Sequence, residues 1–301
     1  MITIIQGIIE RGLIFSLIVA CVYLTSRIIK RDDLTIEGSF GIGGAVTAAC
    51  LTHGVSFLIS LPLALAAGGL CGLITGLLHT RLNINHLISG IVVTTGAFSL
   101  NLKLCSSNVA LGNATTIFTV IPTWLASIMI PTWLAPVVVP TWLTSIKALV
   151  VIVPITIGTI TLVKKLLSSE LGFLLFAVGD NPQMLLNLGK KPENYITAVF
   201  TLSNMLSGLA GALFVQYVGY FSIWSNVGVL VVSLAGLILA QIISKQFGYT
   251  LVCGALAYQA LIAATFELQI DQDWNKLITA CLIVALIVIT KKIHRGQACS
   301  N

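Results

Sequence analysis

Glu170-Leu-Gly-Phe-Leu-Leu-Phe-Ala-Val-Gly-Asp-Asn-Pro-Gln-Met-Leu-Leu-Asn-Leu-Gly-Lys-Lys-Pro-Glu-Asn-Tyr195 is the most polar interior stretch of the chain. Apolar runs of membrane-spanning length stand on both sides of it. Asn181-Pro182 predicts a helix start, because an Asn side chain caps free backbone N–H groups and Pro suits the first helical position. Gly189 predicts the stop, since glycine accepts the left-handed conformation that ends many helices. The result is a short helix, Pro182 to Leu188, with Asp180 before it and Lys190 and Lys191 after it, charges that complement its dipole. Met184, Leu185 and Leu188 share one face at helical spacing. Two uses fit such an element: an apolar knob that docks into a partner, or an amphipathic connector lying on lipid.

The composition around this segment is that of a membrane protein. Of 301 residues, 57% are hydrophobic and only 9% charged, and the mean hydropathy is +1.02. A soluble globular domain carries about 25% charged residues. Backbone polar groups inside lipid must bond one another, which makes the long uniform apolar runs helices rather than barrel strands. The expected fold is therefore all-α, a polytopic transmembrane helical bundle forming one domain over residues 1–301. An apolar run of about 20 residues crosses a bilayer. Nine such runs are predicted, with eight to ten as the range: about 10–29, 34–52, 55–78, 84–104, 146–167, 195–219, 227–244, 248–266 and 274–291.

Charge orients them. With the 169–195 loop in the cytoplasm, alternation also places inside Arg27, Lys30, Arg31, Arg81, Lys164, Lys165, Lys190, Lys191, Lys245, Lys291, Lys292 and Arg295. Those are twelve of the sixteen Lys and Arg residues; Arg11, Lys103, Lys147 and Lys276 stay outside. Cytoplasmic loops carry the Lys/Arg excess, so the expectation is N-terminus out, C-terminus in. The net charge of +6 thus reads as orientation and not as a nucleic-acid surface. Glu10-Arg11 interrupts the N-terminal apolar run and no small-residue cleavage site follows, so the first span is expected to be retained. The seven cysteines are scattered, without metal-ligand spacing.

Small residues mark the packing. Gly38-Ser-Phe-Gly-Ile-Gly-Gly44 puts four glycines into the second span, which predicts either a broken helix or a closely packed one. Gly68, Gly72 and Gly76 recur every fourth residue, as do Ser203, Ser207 and Gly211, and both series predict seams where backbones approach closely. Residues 105–146 are expected to form an external loop. It carries a nine-residue unit in three copies, starting at Ile121, Ile130 and Val139, whose prolines prevent one straight helix.

Three stretches together resemble a known family. They are Gly179-Asp-Asn-Pro-Gln-Met184 with Leu188-Gly189 and Ser203-Asn-Met-Leu-Ser-Gly-Leu-Ala-Gly-Ala212; Asp33-Leu-Thr-Ile-Glu-Gly-Ser-Phe40; and Leu77-Leu-His-Thr-Arg-Leu-Asn-Ile-Asn85 with Ser89-Gly-Ile-Val92. They resemble the inner-membrane permeases of bacterial ABC importers, in the branch for branched-chain amino acids and ribose-type sugars. Within it the chain is most similar to tryptophan/tyrosine-type permeases. The resemblance covers nearly all of the chain except about 114–147.

The resemblance implies that loop 169–195 carries the coupling helix, which inserts into a cleft of a cytoplasmic ABC ATPase. Its coupling residues would be Gly179, Asp180, Asn181, Pro182, Gln183, Met184, Leu185, Leu188 and Gly189. Two permeases, as a homodimer, would enclose the pathway in the inner membrane, and a periplasmic substrate-binding protein would deliver a small solute, most simply an amino acid.

The residues themselves carry no enzyme signature. There is no G-x-x-x-x-G-K-[ST] phosphate loop, no H-E-x-x-H and no G-x-S-x-G. No cofactor is expected, and ATP hydrolysis would belong to a separate subunit. The four histidines, and Asp32, Asp33 and Glu37, fall near span ends, where interfacial solvation is expected. Centres of the other spans are nearly free of ionisable groups, whereas a proton- or sodium-driven carrier usually keeps one there. A stand-alone carrier or channel is the alternative reading. Gly41, Gly43, Thr94, Thr95 and Asn101 are the candidate pathway-lining residues, although helix-to-helix contact explains such small and neutral polar groups equally well.

Overall fold

Long apolar segments with no water to bond their backbones become helices, and short polar turns join them. A computed structural model of the protein describes residues 2–112, 114–121, 141–243 and 247–267, with the single positions 277, 280, 281 and 284. The helices are α1 (Ile2–Val22), which continues as a π-helical turn (Tyr23–Ile28), α2 (Thr35–Thr52), α3 (Phe57–Arg81) and α4 (His86–Cys105). Then follow α5 (Thr141–Leu167), α6 (Glu170–Asp180), α7 (Pro182–Asn187), α8 (Pro192–Val218), α9 (Val229–Ile243) and α10 (Phe247–Glu267). Strands β1 (Asn108–Ala110) and β2 (Tyr220–Ser222) pair antiparallel, with Val109 opposite Phe221. The expected span at 274–291, the C-terminal tail and residues 122–140 of the repeat lie outside the described residues.

Among the described residues six helices are long and apolar enough to cross a membrane, so the protein is a multi-pass helical membrane protein. Helix α2 is not among the six, for a physical reason. Wedged between α3, α4 and α8, it buries most of its length and has little need of lipid-soluble side chains. It is unbroken, so the closely packed alternative holds. A Cβ at Gly38 would crowd Thr94, at Gly43 the Gly208 backbone and at Gly44 Val215. The other seam also forms: Gly68, Gly72 and Gly76 face Asn204, Phe200 and Thr197 of α8, and Gly211 faces the Phe40 carbonyl. Helix α1 corrects the expected start at residue 10. It begins at Ile2, and Glu10, 5% exposed, lies within it. Gln6 Nε2 (2.8 Å) and Tyr217 Oη (2.9 Å) donate to the Glu10 carboxylate, which makes burial tolerable.

The first spans run up and down. At one end the α1 terminus, the α3–α4 turn, α6–α7 and the start of α8 gather: Lys30 pairs with Asp180, Arg31 with His79, and the Thr80 and Thr197 hydroxyls meet at 3.2 Å. At the other end the β1–β2 pair lies beside the segment whose Ile117 N–H donates to Gln216 Oε1 (2.9 Å).

Candidate functional site

Helix α7 is built by its own caps. Asn181 is extended (φ −151°) and its side chain accepts the Gln183 N–H at 3.1 Å, with Pro182 in the first helical position. At the far end Gly189 has φ 70°. Its N–H donates to the Leu186 carbonyl (2.9 Å) and the Lys190 N–H to the Leu185 carbonyl (2.9 Å). That pair of bonds is a Schellman stop, which needs the left-handed conformation that glycine adopts without cost.

The three apolar residues expected on one docking face divide. Leu185 is 0% exposed and belongs to the chain's own core, whereas Met184 and Leu188 are 53% and 58% exposed. Leu186 also stands out, at 49%. Leu185 is therefore the anchor that holds α7 to the bundle, and Met184, Leu186 and Leu188 form the free apolar surface. Residues Asp180, Asn181, Gln183, Lys190 and Lys191 are exposed around it.

Sequence reading missed how this element is tied to the rest. A Cβ at Gly179 would overlap the Ile28 carbonyl oxygen, so glycine here lets α6 lie directly on the end of the π-helical turn. Beside it Lys30 Nζ meets Asp180 Oδ1 at 2.6 Å. This pair is exposed and contributes little energy. Single-turn π segments inside α-helices are frequent at functional sites. No spacing rule links residue 28 to residue 179; only the packed fold does.

A buried polar layer sits at the same end, beneath α2. Asn204 Nδ2 donates to Asp33 Oδ2 (2.6 Å) and to the Phe200 carbonyl (2.8 Å), Ser39 Oγ donates to Asn204 Oδ1 (2.6 Å), and the Thr35 N–H donates to Asp33 Oδ1 (2.9 Å). Asp33 is 2% exposed, which corrects its expected solvation at the interface; Asp32 does remain exposed. Burial pushes the Asp33 carboxyl above its usual range, opposed by the hydrogen bonds from Thr35 and Asn204. Glu37 is half-buried and accepts the Gly228 N–H at 3.2 Å. His79 is not simply solvated either. Its Nδ1 meets the Ile84 carbonyl at 2.8 Å, which requires Nδ1–H and leaves Nε2 to accept from Arg31. This lock closes the α3–α4 turn.

The candidate pathway residues are placed as follows. Gly41 lies under the side-chain amides of Asn101 and Asn226, a grouping that brings together two of the candidates and one residue without any sequence signal. Asn101 is 2% and Asn226 8% exposed, and Asn101 Oδ1 and Asn226 Nδ2 have no hydrogen-bond partner among the described residues. Gly43 packs on Gly208. Thr94 Oγ1 donates to the Leu34 carbonyl (2.9 Å). Of the five, Thr95 alone is exposed, on an outward face of α4 with Ile88, Ile91, Val92, Ser99 and Leu102.

Residues 4–287 match the family described as branched-chain amino acid transport system, permease component. A tyrosine transport system permease protein of Clostridioides difficile is 29% identical over 289 residues, 93% of this chain and 89% of that protein. The autoinducer 2 import system permease protein LsrC of an Enterobacter species is 25% identical over 286 residues, 92% of this chain and 75% of that protein. No solved structure matches.

Proposed function

The chain belongs to the family of permease components of branched-chain amino acid transport systems, and from that premise we propose that it forms the solute pathway of an ATP-driven importer in the bacterial inner membrane. The observation that carries this reading is the family match over residues 4–287. The exposed cap-to-cap helix between two spans adds a surface suited to a motor subunit. In this reading the protein is a transport subunit and not an enzyme. A homodimer encloses the pathway, an ABC ATPase docks on Met184, Leu186 and Leu188, and a periplasmic binding protein delivers the solute. An amino acid is the proposed solute, in keeping with the tyrosine permease relative. Force on α7 passes through the anchor Leu185 and the Gly179–Ile28 joint into α1. Thr95 and Ser99, on the open face of α4, are the proposed pathway contacts between the two copies.

Reconstitution tests it. Liposomes holding the chain and its cognate ATPase are expected to hydrolyse ATP several-fold faster when the loaded binding protein is added. Uptake that proceeds without ATPase or binding protein would instead establish a stand-alone carrier.

The proposed topology has nine spans, the N-terminus and residues 105–146 outside, and loop 169–195 in the cytoplasm. In a chain with its native cysteines replaced, Ala110→Cys should react with an impermeant thiol reagent from the periplasmic side. Leu188→Cys should react only after the membrane is opened. The reverse pattern would invert the topology.

A further inference from the structure

A groove of about 520 Å³ runs between α3 and α8 and opens to the outside of the bundle. Its composition changes along its length. The inner part is walled by Leu73, Leu77, Leu202 and Met205, and the mouth, where the two helices reach the end of the bundle, carries Arg81 and Asn194. Thr80 and Thr197, which meet at 3.2 Å, lie between these parts. Helical rise makes the distance from Leu73 to Arg81 about 12 Å along the axis. Apolar at membrane depth and cationic at the interface, the groove has the polarity of a lipid molecule standing upright.

Charge selects the head group. Among the described residues Arg81 has no ion-pair partner, and no carboxylate lines the groove to receive a choline or ethanolamine ammonium. Basic pockets between membrane helices on the interfacial side bind anionic head groups.

We propose that the α3–α8 groove is a binding site for an anionic phospholipid, its phosphate held by Arg81 with Asn194 at the rim and one acyl chain lying along Leu73, Leu77, Leu202 and Met205.

The full-length protein in detergent, incubated with equal amounts of dioleoylphosphatidylglycerol and dioleoylphosphatidylcholine, is to be examined by native mass spectrometry. Wild type is expected to retain phosphatidylglycerol preferentially. Arg81→Gln should weaken that retention about fivefold, the worth of one interfacial cation, and Arg81→Lys should restore most of it. Ala198→Trp, which fills the groove from its exposed wall, should remove retention of both lipids. Unchanged melting temperatures identify folded variants. Equal phosphatidylglycerol retention by wild type, Arg81→Gln and Ala198→Trp overturns the proposal. So does loss of a dimer in these variants with lipid counts unchanged, which would assign the groove to a second copy.

Discussion

Leu188→Asp is expected to leave the protein inserted and folded yet reduce recovery of the partner ATPase at least tenfold, with transport falling in step. Leu188 is 58% exposed, so an aspartate there costs the isolated chain almost nothing. In a docked complex the substitution removes roughly 1.5–3 kcal/mol of Leu burial and strands a charge in the contact. Its neighbour is the internal comparison. Leu185 is fully buried, and Leu185→Asp places an uncompensated charge in the core at about 3–5 kcal/mol. That variant should fail earlier, with poor recovery from the membrane and a lowered melting temperature. Affinity capture with the tagged ATPase, beside a thermal melt, separates the two. Equal ATPase recovery from wild type and Leu188→Asp would remove the docking role of α7. A stable Leu185→Asp would remove its anchoring role.

Gly72→Val is expected to destabilise the folded bundle strongly. An added Cβ at Gly72 would overlap the Phe200 carbonyl oxygen and stand 2.7 Å from the Asn204 Cβ. Neither is the end of a flexible side chain, so α3 and α8 would have to separate. Their separation also strains the Thr35–Thr75 contact (2.7 Å) and the Asp33–Asn204 layer. The expected cost is about 3 kcal/mol, at the upper end for overpacking. It should appear as aggregation on size-exclusion chromatography and a large drop in melting temperature. Gly96→Val is the control, since among the described residues nothing lies within 4 Å of a Cβ there, and it should keep the wild-type elution profile and melting temperature. A Gly72→Val protein with a normal elution profile would show that the seam is looser than its geometry.

How much was legible beforehand follows from the range of each interaction. The helix start at Pro182 and the stop at Gly189 are carried by bonds spanning two to five residues, Asn181 to Gln183 and Lys190 to Leu185, and such bonds can be read from local residue types alone. Apolar runs also predicted the long helices, because lipid imposes composition on whatever faces it. Small residues every fourth position predicted a close seam, because they let two helix backbones approach. The partner of that seam was not legible. Burial of Asp33 against Asn204, the Gly179–Ile28 joint and the division of Leu185 from Leu188 depend on how each helix is rotated and which helices are neighbours. Small and polar residues suit a lipid-shielded interface, a pathway or a turn equally well. Only the assembled bundle, by closing contacts across well over a hundred residues, decides which of these each one serves.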